Sequence, residues 1–346
     1  MNYELGMKRG KTIKKGSKNP SFHNSKFVIH NSARRRALVV GSVAFDVVFD
    51  VHGTIKERII LEAGKLGRQN LMFTAKMKQQ QYGGTGANIA YGLGLLGAKP
   101  ILFAAVGRDF KPHFHKHLRA KGVDVRVHTD PKNWTATFYG MSDEAREQIG
   151  VWQPNAHDTL ETISLTDTLD KKILKGVSVA IFSGKPTIAV RHMETVRKVC
   201  GAKIQTIFDP GQMVVFYSKA ELVKGLKLAD IFIVNEVELK TAQATLGCGT
   251  EQLFKWGPKV IIETKGELGS VLYEPGKRTK VSAVTPRRIV ETTGAGDAYR
   301  AGLMFGLLEG FDLEKSCHIG AILGARSVET TGGQTYELLP KDLENL

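Results

Sequence analysis

Short, mainly apolar runs alternate along this chain with segments of helical spacing. The runs lie at 37–40, 101–106, 177–182, 204–208, 231–234 and 260–264. Each is the length of a strand buried on both faces, and the first is flanked by Arg36 and Gly41. Between them, Ile89, Ala90, Leu93 and Leu96 fall at i, i+1, i+4 and i+7, the spacing of one helix face. Similar spacing predicts helices at about 189–201, 236–247 and 297–310. Strand–helix alternation with buried strands predicts an α/β fold, a doubly wound and mostly parallel sheet with helices on both faces.

Two stretches break that rhythm, 47–82 and 124–153. Both alternate polar and apolar positions, as in Arg126-Val127-His128-Thr129 and Thr135-Ala136-Thr137-Phe138-Tyr139. Alternation is the mark of half-exposed antiparallel strands, so the two stretches together predict a small β-strand lid.

Charge adds a third region. The chain has 346 residues and a formal charge of +15, but residues 1–36 hold ten Lys or Arg against Glu4 alone, leaving +6 on the other 310. This basic segment is poor in aliphatic residues and cannot offset its ordering entropy by burial, which predicts a disordered tail ahead of one domain at 37–346. A nucleic-acid-binding role for the tail would show as salt-sensitive RNA binding lost on deleting it; the modest charge of the remainder argues against nucleic acid as the main partner. No run of about 18 apolar residues suggests a membrane span, and no apolar leader with a small-residue cleavage site begins the chain. Cys200, Cys248 and Cys317 are few, odd in number and far apart, which favours a reducing compartment, the cytoplasm by default.

Candidate chemistry sits in glycine-rich turns that open helices. In Glu291-Thr292-Thr293-Gly294-Ala295-Gly296-Asp297-Ala298, the glycines free backbone N–H groups, and the helix start adds unpaired donors and a positive dipole end. That is an anion site suited to phosphate, with Asp297 at its mouth as a general base. Taken alone, the same residues also suit an N-cap behind a glycine turn. The stretch ending in Ile289 and Val290 reads as a strand leading into it. A second turn, Gly83-Gly84-Thr85-Gly86-Ala87-Asn88, lacks the GK[ST] ending of a P-loop and follows no strand in dinucleotide-binding register. Asn235-Glu236-Val237-Glu238 follows an apolar run, where ligands of open sheets bind; it also suits ordinary acids at a helix start. Thr264 to Gly269 reads as a nucleotide-lining turn or a plain hairpin. Asp46 follows the first run, where a carboxylate suits two sugar hydroxyls; a lone Asp in a strand-end loop also suits a structural role. His113, His115 and His117 lie in a predicted helix, which fans them apart and disfavours a metal site.

Together and in this order, these motifs resemble the ribokinase-like (PfkB) family of carbohydrate and nucleoside kinases over residues 37–346. The resemblance implies Asp297 as catalytic base, with Gly294, Ala295 and Gly296 forming an anion hole. It implies Asp46, Gly83, Gly84 and Asn88 as contacts to sugar hydroxyls. Asn235 and Glu238 resemble the family's Asn-x-x-Glu motif, acting on Mg²⁺ and phosphate. Thr264, Gly266 and Gly269 would line ATP, and the loop Thr330-Thr331-Gly332-Gly333 would border the adenine. Glu291 stands where many members have Asp for a monovalent cation, and its extra length puts K⁺ activation in doubt. Ser42 and Ala44 stand near where many sugar kinases have Asn.

The segment from Thr137-Phe138-Tyr139 to Gln148-Ile149-Gly150-Val151-Trp152-Gln153-Pro154-Asn155-Ala156, with Asp209-Pro210-Gly211-Gln212, is similar to adenosine-kinase-like members. It implies Phe138 and Trp152 as an aromatic platform for a purine, or as plain lid packing. The expected activity is transfer of phosphate from ATP to the 5′-hydroxyl of a nucleoside, adenosine first. Ribose or another sugar is the alternative substrate, and an idle sensor with a kinase fold is disfavoured by the intact Asp297. Whether such a chain is a monomer or a homodimer is not legible in the residues.

Overall fold

The computed structural model describes residues 35–344 apart from 60, 63–64, 67–70, 112 and 146. The predicted tail therefore lies outside the described residues, except for Arg35 and Arg36. Those two correct its boundary: Arg36 opens the first strand and pairs with Asp124 at 2.7 Å, and Arg35 donates to the Leu308 carbonyl.

The described strands are β1 (Arg36–Val40), β2 (Ala44–Val51), β3 (Leu61–Glu62), β4 (Lys65–Leu66), β5 (Ala75–Gly83), β6 (Ile101–Gly107), β7 (Asp124–Asp130), β8 (Ala136–Ser142), β9 (Gln148–Gln153), β10 (Val177–Ser183), β11 (Gln205–Asp209), β12 (Ile231–Asn235), β13 (Val260–Thr264), β14 (Ser270–Glu274) and β15 (Lys277–Val281). Nine of them form one sheet in the order β15-β14-β13-β12-β11-β10-β1-β6-β7. Pairing is parallel from β7 to β13, and β13–β14–β15 is an antiparallel meander at one edge. The strand order runs both ways from β1, so the switch point of this doubly wound sheet lies beside it.

Period-2 alternation, with a core on each face, explains why the runs are mainly apolar. Ala37 and Val39 enter one core, while Leu38 and Val40 enter the other. The first core is covered by the helices Thr85–Leu95, His113–Ala120, Ala295–Glu309 and Leu313–Ser327; the second by Pro186–Cys200, Lys219–Leu228 and Glu236–Leu246. Glycine lets the first set approach closely: a Cβ at Gly302 would lie 2.7 Å from Gly320, and one at Gly92 2.6 Å from Ala301 Cβ. The helix that carries Asp297 is thereby wedged between two others.

A separate four-stranded sheet has the order β5-β2-β8-β9. It contains the lid strands expected from alternation, with one correction. β7, inside the expected segment 124–153, pairs in parallel with β6 and is the edge of the main sheet. Its alternation reflects an edge strand with one wet face, the same pattern a lid strand gives. The small sheet draws on 44–51, 75–83, 136–142 and 148–153. A second correction concerns Ile289 and Val290. They form no strand; Ile289 is exposed, and the Val290 amide donates to the Val328 carbonyl.

Candidate active site

β1, β10, β11, β12 and β13 all end on one edge of the main sheet, and the motif residues follow those ends. Ser183 and Asp209 close β10 and β11, Asn235 closes β12 and Thr264 closes β13. The turn after β1 meets the helix Thr85–Leu95, whose first amides are satisfied by Ser42: Thr85 N donates to Ser42 Oγ at 3.0 Å and Ala87 N to Ser42 O at 3.0 Å. The Gly83–Gly84 pair has a local cause. Gly84 has φ +88°, and a Cβ there would lie 2.6 Å from Ala44 N. A Cβ at Gly83 would lie 2.0 Å from Asp46 Oδ2. The glycines thus admit the chain's own β1–β2 turn and the Asp46 carboxylate.

The helix Ala295–Glu309 starts from Gly294, held at φ +82° with Gly333 against it. Ala295 N is spent on the Thr292 carbonyl, whereas the helix offers no acceptor to the Gly296 and Asp297 amides. Of the three residues expected to form the anion hole, Gly294 and Gly296 keep that capacity and Ala295 does not; Asp297 adds its own amide.

Asp297 Oδ2 accepts from Asn88 Nδ2 at 2.8 Å, which joins the two glycine motifs across 209 residues. Burial pushes the Asp297 carboxyl up to about 7, helped by Asp209 and Glu238 and opposed by Arg300 and the Asn88 bond. Asp46, only 8% exposed, is also pushed up to about 7, first by burial, then by the charges of Asp297 and Glu291. The charge of Asp297 thus reaches Asp46 and adds to the effect of burial there.

Arg300 lies three residues beyond Asp297. Its Nη2 donates to Asp209 Oδ1 at 2.7 Å, its Nε lies 2.6 Å from Asp209 Oδ2, and its Nη1 donates to the Gly296 carbonyl at 3.1 Å. Ser183 Oγ also donates to Asp209. Burial opposes the Arg300 charge, but the surrounding Asp209, Glu238 and Asp297 hold its pKa above the ordinary value. Sequence reasoning gave Arg300 no role and Asp209 only a subgroup likeness. A charged residue on the buried side of an otherwise apolar helix was the available signal.

The remaining expected residues fall into two groups. Asn235 and Glu238 form a capping box, each side chain bonding the other's backbone amide at 2.8 Å. Burial raises the Glu238 pKa against the pull of Arg300. Thr264, Gly266 and Gly269 belong to the β13–β14 hairpin turn, where Gly269 has φ +83°. Gly332 has φ +84°; its amide donates to Glu291 Oε2 at 3.0 Å, and Gln81 lies against its Cα.

In the small sheet, register gathers the substrate candidates. Asp46 pairs with Gln81 on one side and with Phe138 on the other, and Phe138 pairs with Trp152. Directly paired residues share a face, so Gln81, Asp46, Phe138 and Trp152 line one side. Gly150 leaves room for the Phe138 ring, since a Cβ there would come within 2.4 Å of it. Trp152 also meets His157 edge to face at 5.9 Å. His113, His115 and His117 stay apart on their helix, and no group of three metal-binding side chains occurs among the described residues.

A parallel sheet whose strand ends carry a glycine-framed helix start, a carboxylate with raised pKa and a facing small sheet defines a kinase for small molecules. The chain belongs to the PfkB family: the model of the pfkB family carbohydrate kinases matches residues 34–341. Among its relatives, the nucleoside kinase of Methanothermobacter thermautotrophicus is 29% identical, over 88% of this chain and 93% of that one. The Burkholderia thailandensis nucleoside kinase in complex with inosine superposes with a TM-score of 0.76 at 27% identity, covering 89% and 95% of the two chains. The Methanocaldococcus jannaschii nucleoside kinase gives 0.77 at 25%, covering 90% and 97%. The fold is that of ribokinase-like enzymes, and the chain is a nucleoside or sugar kinase. Among the described residues no helix is long and apolar enough to cross a membrane.

Proposed function

We propose that this kinase transfers the γ-phosphate of ATP to the 5′-hydroxyl of a nucleoside, adenosine first. The observation that carries the reading is the row Asp46–Phe138–Trp152 on one face of the small sheet, with Asp46 near enough to Asp297 to feel its charge. A carboxylate for ribose hydroxyls beside two aromatic rings suits a sugar that bears a base. Stacking on Trp152 would contribute roughly 1–3 kcal/mol. The relatives named nucleoside kinases, one of them in complex with inosine, support the same reading.

In this reading Asp297 accepts the proton of the attacking hydroxyl, while the Gly294, Gly296 and Asp297 amides receive the transferring phosphoryl group. Gly83, Gly84 and Asn88 complete the sugar site. Asn235, Thr264, Gly266, Gly269 and Gly332 border the nucleotide. A Mg²⁺ arriving on ATP would keep most of its waters, and Glu238, boxed against Asn235, is the carboxylate that would hold it. That ion neutralises phosphate charge when bound. Glu291 accepts from the Gly332 amide, which ties the loop 330–333 to it. The small sheet acts as a lid that excludes water and limits ATP hydrolysis. The setting is cytoplasmic, in purine nucleoside salvage.

The test is turnover with adenosine, inosine, cytidine, ribose and fructose 6-phosphate at fixed ATP and Mg²⁺. The reading expects adenosine to give the highest kcat/KM. Adenosine turned over no better than free ribose would make this a sugar kinase.

A further inference from the structure

Asn88 is 4% exposed, and its orientation matters chemically: an amide turned over exchanges its two donors for an acceptor. Three contacts determine which way it lies. Asn88 Nδ2 donates to Asp297 Oδ2 at 2.8 Å. Asn88 Oδ1 accepts from Gln334 Nε2 at 2.9 Å. The same Gln334 nitrogen points at the Gly83 carbonyl, 3.5 Å away.

A backbone carbonyl only accepts, so the Gly83 carbonyl is a fixed reference for polarity. It requires the nitrogen of Gln334 at that end. That nitrogen then requires the oxygen of Asn88, which leaves the Asn88 nitrogen for Asp297. With Gln334 only 2% exposed, water does not readily substitute for it. Gly333 lies flat against the Asn88 amide, where a Cβ would come within 2.7 Å of Nδ2.

We propose that Gln334 is a positioning residue for phosphoryl transfer: it sets the polarity of Asn88, so that Asn88 donates to one oxygen of Asp297 and leaves the other for the attacking hydroxyl. The inference rests on the assignment of Asp297 as base. A reversed Asn88 would aim its oxygen at the carboxylate, repelling it and turning it from the substrate. Behind Gln334, the buried Gln334 Oε1 and His117 Nε2 both lack a hydrogen-bond partner within the geometric limits among the described residues. Burial and then Lys121 lower the His117 pKa, with the Gln334 contact opposing them, and its ring stacks on Tyr91 at 5.4 Å. A neutral His117 protonated on Nε2 would supply the donor that the far end of Gln334 lacks. One member of the His-x-His-x-His run thereby gains a place in the site.

The test is a double-mutant cycle of Gln334→Met with Asn88→Ala, with Gln334→Glu as a third variant that keeps the shape and removes the donor. It is read on whichever acceptor the wild type turns over, so failure of the nucleoside reading leaves it readable. Asp297→Ala, run alongside, reports separately on the base. Gln334→Met should lower kcat about 10–100-fold with KM for ATP unchanged, and should cost nothing more in the Asn88→Ala background. Gln334→Glu should lose more than Gln334→Met. Equal losses in both backgrounds, or wild-type kcat in Gln334→Met, would overturn the proposal. Because Met is uncharged and close to Gln in length, the cycle stands even if the Glu variant fails to fold.

Discussion

Replacing Asp46 by Asn removes a carboxylate that the fold ionises reluctantly, and the cost can be worked out. Burial and the nearby charges of Asp297 and Glu291 take its pKa from 3.8 to about 7. A raised carboxyl pKa means the folded protein binds the proton more tightly than the unfolded chain does. Its stabilising effect is full below pH 3.8 and is lost as pH rises through 7. A displacement of roughly three pH units corresponds to about 4 kcal/mol, an upper value because the site relaxes and water enters. Asp46→Asn should therefore gain stability over wild type at pH 8, where Tm should rise by up to roughly 6 °C. The advantage should shrink toward pH 5. Thermal unfolding of both proteins across pH 5–8.5 reads this directly, and nucleoside turnover should collapse in the same variant. An Asp46→Asn protein no more stable than wild type at pH 8 would mean that Asp46 ionises freely, which would refute the buried pair with Asp297.

Three further outcomes follow from the same charges and contacts. Asp297 must be ionised to accept a proton, so kcat/KM should fall as pH drops below about 7. Arg300→Met should move that acid limb upward and Asp209→Asn should move it downward, because Arg300 favours the ionised base and Asp209 opposes it. Shifts of the same sign in the pH–rate profiles would mean that the pair only holds the helix to the sheet. Gly83→Ala places a methyl group 2.0 Å from Asp46 Oδ2, and kcat/KM for nucleoside should fall at least ~10-fold, with binding of ATP retained by calorimetry.

What was legible in the sequence is what local pattern encodes. The six mainly apolar runs became the parallel strands because burial on both faces leaves few polar positions within them. The glycine turns marked both helix starts, because positive φ and close backbone approach leave few alternatives to glycine there. What pattern could not reveal was contact across the chain. β7 alternates like a lid strand, but its partner is β6. Ile289 and Val290 are apolar yet form no strand. Ser42, read as a departure from the sugar-kinase pattern, caps the helix that carries Asn88. Asp209 reaches Arg300 and Gln334 reaches Asn88 from remote positions, and nothing local announces Gln334. Ala295 was assigned to the anion hole, but only geometry shows its amide spent on Thr292.

The most direct measurement of the central claim is the position of the phosphate in the product. Adenosine, ATP and Mg²⁺ incubated with the wild-type protein should give AMP with phosphorus coupled to the 5′-protons by ³¹P–¹H NMR. The Asp297→Ala variant should form that product roughly 10²–10⁴-fold more slowly while still binding ATP. A phosphate on another oxygen, or turnover undiminished in Asp297→Ala, would contradict it.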